Sequence, residues 1–235
     1  MKPASARRRQ QGASLVEFVI VFPFAVLFTL SLIQAGFVFM AKTTLNHATF
    51  MAARVGAVHN ASRSAMTDAL ARGLSPFYQD GSRRNDHTRL AMALAEAQVD
   101  TRLFSEFTVL SPSPEAFADF GVRDPVRKLT YIPNDNLAFR SQAVQPKSKM
   151  NLRDANLLKI KVVYGYEMKV PLMAGVVRRV MCGGDAGVDA WGDVSIAESA
   201  FGLSNPLLCA RYYRHGRLPI EAYALVEMQS PAYQP

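Results

Sequence analysis

Glu17 is the one charged side chain between Ala13 and Ala41, and its neighbours are almost all apolar. A carboxylate in such a run is costly unless a cation meets it. Cleavage of the Gly12–Ala13 bond would create that cation, a free α-amine on Ala13, and would make Glu17 the fifth residue of the trimmed chain. Glycine before the bond leaves the backbone unobstructed for a protease working at the membrane face. Glu17 of one chain paired with the Ala13 amine of a neighbour would set axial register among packed helices. The alternative is a hydrated Glu17 at the membrane interface, favoured there by the positive end of the helix dipole.

The element that positions these groups is an apolar helix. Phe18 to Ala41 carries no charge, and only Thr29, Ser31 and Gln34 are clearly polar. At about 1.5 Å per residue that stretch is roughly 36 Å long, enough to cross a ~30 Å hydrocarbon layer with some tilt. Pro23 removes one backbone donor and predicts a local bend, which neighbouring helices can accommodate in a membrane. Upstream, Lys2, Arg7, Arg8 and Arg9 contribute half of the net charge of +8. The positive-inside rule then puts the N-terminus in the cytoplasm and the rest of the chain outside it. The basic balance is therefore a topology signal, and no nucleic-acid partner is expected. Ordinary signal-peptide removal does not fit. The apolar core is too long, and Ile33 and Phe39 occupy the −3 positions of the sites ending at Ala35 and Ala41.

Both cysteines, Cys182 and Cys209, fall in the exported part. An oxidising compartment suits a bridge between them, worth on the order of 3–4 kcal/mol in the chain-entropy treatment. Two reduced, buried thiols are the other reading. Asp185, Asp189 and Asp193 in GGDAGVDAWGD are hard oxygen donors of the kind calcium takes. Their spacing matches neither the EF-hand loop nor the nonapeptide repeat, so a solvated loop is the simpler reading and a structural calcium site the alternative. The histidines are scattered, and no phosphate loop, nucleophile elbow or zinc motif occurs, so no enzymatic activity, metal or cofactor is expected.

Beyond Lys42 the helix is expected to continue as a stalk. Leu45, Ala48, Thr49, Ala52, Val55 and Gly56 share one face, with small residues every fourth position at Ala48, Ala52 and Gly56. That stripe can receive a neighbouring helix or the protein's own domain. Asn60-Ala61-Ser62 matches a glycosylation sequon by a short pattern. Further helices are expected at 64–74 and 87–103, the latter presenting Leu90, Leu94 and Ala97 on one face. A loop is expected at 75–86, and short strands near 107–110 and 128–132. The clearest strand is 157–170, where Leu158, Ile160, Val162, Tyr164, Tyr166, Met168 and Val170 alternate with mostly polar residues and Gly165 suggests a bulge. Residues 220–228 alternate likewise, and antiparallel pairing of the two gives an α+β domain.

Two blocks and one short phrase resemble the TadE family of minor pseudopilins from bacterial tight-adherence (Flp) pilus systems. They are Gly12-Ala13-Ser14-Leu15-Val16-Glu17-Phe18 with Pro23, then Leu45-Asn46-His47-Ala48 with Ala52–Ala57, and finally Met228-Gln229-Ser230-Pro231. Related leaders often place Arg directly before the glycine, whereas Gln10 and Gln11 intervene here. The resemblance implies a prepilin-peptidase substrate that starts in the inner membrane and works with other pilins and tight-adherence machinery. It implies no enzymatic activity. The expected organisation is a basic cytoplasmic leader (1–12), a transmembrane helix (13–41), a helical stalk (42–60) and a periplasmic α+β domain (61–235) with helices packed on an antiparallel sheet. Rival readings are an unprocessed single-pass inner-membrane scaffold that keeps residues 1–12, and a membrane-tethered envelope enzyme.

Overall fold

The structure is a computed structural model that describes residues 11–82, 85–182 and 206–234. One helix, α1 (Gln11–Val58), runs without interruption through Pro23. The chain divides into two compact units. An anchor unit joins the residues up to Phe39 with Glu167–Arg217, and a sheet unit joins Met40–Tyr166 with Leu218–Pro235.

In the sheet unit, α1 is followed by α2 (Arg63–Leu74), a 3-10 turn (Ser75–Tyr78) and α3 (Asp86–Phe104). Asn85 caps α3 by accepting from the His87 amide at 3.2 Å. Next come β1 (Ser105–Ser111), α4 (Pro114–Phe120), β2 (Val122–Arg123), β3 (Thr130–Ile132), α5 (Leu152–Ala155) and β4 (Leu157–Glu167). After the segment belonging to the anchor unit, β5 (Arg217–Glu227) and β6 (Ala232–Tyr233) complete the order. The main sheet runs β1-β4-β5, and a smaller one runs β2-β3-β6. β4 pairs antiparallel with β1 from Ser105↔Tyr164 to Ser111↔Lys159. The irregularity in that ladder lies between Val109 and Ser111, on β1, so the bulge suggested at Gly165 is not where this pairing breaks. β4 also meets β5 antiparallel, with Met228 N donating to Asn156 O at one end and Met168 N to Gly216 O at the other.

The alternation of β4 and β5 is obeyed. Leu158, Ile160, Val162 and Tyr164 are buried, as are Ile220, Ala222 and Ala224. Helices cover this sheet face with Leu45, Ala48 and Ala52 of α1 and Met66, Leu70 and Leu74 of α2, all fully buried. The fold is therefore α+β, as expected. β4 stops earlier than the alternation predicts. The Val170 amide turns away to donate to the Gln34 side chain at 3.1 Å, and Pro171 has no amide to continue a ladder.

Of the α3 face expected to carry Leu90, Leu94 and Ala97, Ala97 is buried with Ala93, Asp100 and Thr101, Leu94 is half-buried and Leu90 is 54% exposed. Small side chains let α3 lie close against α2 and the 3-10 turn, and Asp100 is accepted inside because phenolic hydroxyls meet it.

The anchor unit contains α6 (Met173–Cys182), α7 (Pro206–Arg211) and a 3-10 turn (Tyr213–His215). Cys182 and Cys209 are joined by a disulfide with Cα atoms 5.7 Å apart. The Asp185–Asp193 loop lies outside the described residues.

Candidate functional site

The surface of α1 is the candidate site, and it changes character along its length. From Leu15 onward its first part is apolar all round and exposed, with Phe18, Phe24, Phe28 and Phe39 each more than 60% accessible. A helix that is apolar on every side and unburied by its own protein suits a lipid or helix-rich environment, not water. Its polar side chains are quenched locally. Thr29 donates to Ala25 O at 2.9 Å and Ser31 to Leu27 O at 2.8 Å, so neither leaves a bare hydroxyl. Among the described residues, this is the helix long and apolar enough to cross a membrane, and it fits a single-pass membrane protein.

Gly12 and Ala13 belong to the first turns of α1, and Glu17 follows about one turn after Ala13. Glu17 is exposed among apolar neighbours, so its carboxylate is presented outward from the helix. Pro23 lies farther along, where its missing donor leaves the Val19 carbonyl without its intrahelical partner.

Near Gln34 the surroundings change. This side chain is only 5% accessible, and its Oε1 accepts from the Val170 amide. Ser31 Oγ also approaches Met173 Sδ at 3.5 Å, so the start of α6 lies against α1 within the anchor unit.

In the stalk, the stripe left open between two uses packs on the protein's own domain. A Cβ on Gly56 would stand 2.5 Å from Met66 Sδ and 2.9 Å from a Leu158 methyl. One on Gly73 of α2 would stand 2.6 Å from the Ala48 Cβ and 2.8 Å from its Cα. The small residues thus serve close approach to α2 and β4. Lys42 adds a tie, its ammonium donating to the Glu221 carbonyl of β5. The opposite side of the stalk remains exposed at Phe50, Met51 and Val58, with Arg54 over the Phe50 ring at 6.0 Å.

The end of α1 explains the Met228–Pro231 phrase. Helix C-termini leave carbonyls without partners, and Ala57 O here accepts from Gln229 N at 2.9 Å and from Ser230 N and Oγ at 3.0 Å. Asn60 reciprocates, its amide donating to Ser230 Oγ at 2.9 Å and its Nδ2 to Pro231 O at 2.8 Å. The sequon asparagine is therefore engaged in a structural bond. Two segments about 170 residues apart in the sequence therefore form one local structure.

A buried polar cluster escaped the sequence reading. Asp100 of α3, 8% accessible, accepts from the Tyr78 hydroxyl and from the Tyr164 hydroxyl at 3.1 Å, and the two phenols lie 2.5 Å apart. Burial, followed by the Tyr164 and Asp100 neighbours, pushes the Tyr78 hydroxyl well above its ordinary range. It stays a protonated donor at any physiological pH, which makes the cluster a clamp between the 3-10 turn, α3 and β4. Only the aromatic-rich composition of the 3-10 turn and β4 could have hinted at it.

An N-terminal apolar helix, exposed to its surroundings and continued into a stalk that carries a small α+β domain, fits a single-pass membrane-anchored protein. Residues 12–54 match the family model described as TadE-like protein, so the segment holding the membrane span and most of the stalk is TadE-like. No curated protein and no solved structure matches the chain.

Proposed function

We propose that this protein is a minor pseudopilin of a tight-adherence (Flp) pilus system, cut by prepilin peptidase between Gly12 and Ala13. The observation that carries the reading is the TadE-like segment at 12–54, which includes the Gly12-Ala13 pair and Glu17. On this reading the protein starts in the inner membrane with its N-terminus cytoplasmic and its head periplasmic, and it has no enzymatic role. Once trimmed, the Ala13 ammonium and Glu17 guide lateral packing of α1 against the helices of other pilins. The exposed apolar surface of α1 supplies the area for that packing. Because the stalk's small-residue stripe is filled by α2 and β4, neighbours dock on the other side of α1. The head then serves as an adaptor for the pilus or its assembly machinery.

Blocking the cut tests this directly. A Gly12→Val chain should accumulate as precursor in the membrane, and cells carrying it should lose their pili. Normal piliation with the uncut chain would refute the proposal and favour an unprocessed membrane scaffold.

A further inference from the structure

Helix α6 has the sequence MAGVVRRVMC, and its helical spacing divides it sharply. Met173, Val176, Val177, Val180 and Met181 fall on one side, and Arg178 and Arg179 on the other. Met173, at the start of the helix, is buried where it meets Ser31 of α1, whereas Val176 and Val180 are 42% and 47% exposed and Leu172, just before the helix, is 68% exposed. A contiguous apolar stripe of this kind is unfavourable in water, and both arginines on the opposite side are exposed as well.

The position of α6 says what covers it. Gln34, which holds the Val170 amide, stands about 29 Å along the helix axis from Leu15, close to the ~30 Å thickness of the hydrocarbon layer. If the layer begins at Phe18 instead, Gln34 sits roughly 6 Å inside its far boundary. Amphipathic helices lie at about 5–10 Å into the headgroup and acyl boundary. The hydrogen bond from Val170 and the Ser31–Met173 contact therefore deliver α6 to the far boundary of the span in either register. The disulfide from Cys182 to Cys209 fixes its other end.

We infer that α6 is an interfacial helix, lying on the membrane leaflet at the Gln34 end of α1 with Leu172, Val176 and Val180 among the acyl chains and Arg178 and Arg179 at anionic phospholipid headgroups. Arginine stems reach from a shallow helix to phosphates, which keeps the charges wet while the valines are buried. The anchor unit then grips the membrane twice, by a span and by a surface helix, which restricts rotation of α1 about its axis. This inference rests on the reading of α1 as a membrane span and is independent of cleavage at Gly12.

The test uses the full chain in vesicles containing anionic phospholipid, with Trp191→Phe as background because Trp191 is the one native tryptophan. Val180→Trp is the probe, and Phe28→Trp, in the middle of the span, is the control. Lipids brominated near the glycerol end should quench the Val180→Trp emission by about twofold or more, and lipids brominated near the chain end should quench it far less. The control should show the reverse preference. Replacing Arg178 and Arg179 by glutamine should weaken the Val180→Trp quenching. A quenched control with an unquenched Val180→Trp would overturn the inference while leaving the span intact, and a blue-shifted but unquenched emission would assign α6 to a protein partner instead. An unquenched control would remove the span and the inference together.

Discussion

Between Leu15 and Met40, α1 turns phenylalanine, valine and leucine outward on all sides, whereas between Ala41 and Ala57 it buries Ala41, Leu45, Ala48, Ala52, Ala53 and Ala57 against its own domain. The same backbone thus meets two environments, and side-chain size separates them. Large residues all round suit a fluid or multi-helix surrounding that adapts to their shape. Small residues on one side suit a fixed partner brought close enough for backbone contact. The glycines make the contrast concrete, since a Cβ on Gly36 would have nothing within 4 Å while one on Gly56 would have no room.

The largest effect is expected where that close approach is tightest. Gly73→Leu would drive a side chain into the Ala48 backbone and force α1 and α2 apart, costing about 3 kcal/mol or more. Circular dichroism melts of the detergent-solubilised chain should show the loss as a large drop in melting temperature. An unchanged melt would mean that α1 does not pack on α2 as described.

A smaller effect concerns the clamp that holds the 3-10 turn, α3 and β4. Tyr78→Phe removes one donor to a buried carboxylate and should cost about 1–3 kcal/mol. It should also change the pH dependence. The Tyr78 pKa is raised in the fold, so its contribution is complete below the ordinary tyrosine value near 10 and is lost as pH rises above it. The native chain should therefore lose stability above about pH 10 more steeply than Tyr78→Phe. Urea titrations at neutral and alkaline pH would reveal equal slopes if Tyr78 were not buried beside Asp100.

The smallest effect belongs to the exposed half of α1. Gly36→Ala meets open space, so the head should melt within about 0.5 kcal/mol of the native chain. A clear loss would show that this part of α1 is covered by protein even in the isolated chain.

What can be read from the sequence follows from local physics. Alternation along β4 and β5 marks a half-buried strand within a few residues, and an uncharged run from Phe18 to Ala41 marks a span by length alone. The buried side of α3 is legible only in part, at Ala97 and less so at Leu94, because alanine and leucine occupy both sides of the helix and the choice depends on how closely α2 approaches. The small-residue stripe is legible as a packing surface but not as to its partner. The Asp100 clamp and the Ser230 cap on α1 join residues tens to hundreds of positions apart, and neither spacing nor periodicity encodes such meetings. Of the candidate site, the TadE-like segment that holds Gly12, Ala13 and Glu17 is legible because its pattern is contiguous. The covered side of the stalk becomes visible only in the fold.

The most direct measurement is the N-terminal sequence and intact mass of the protein purified from native membranes with active prepilin peptidase. A chain beginning at Ala13 is the predicted result, and it would give Glu17 the neighbouring amine that the proposed helix register needs. A chain that still carries residues preceding Gly12 would contradict it.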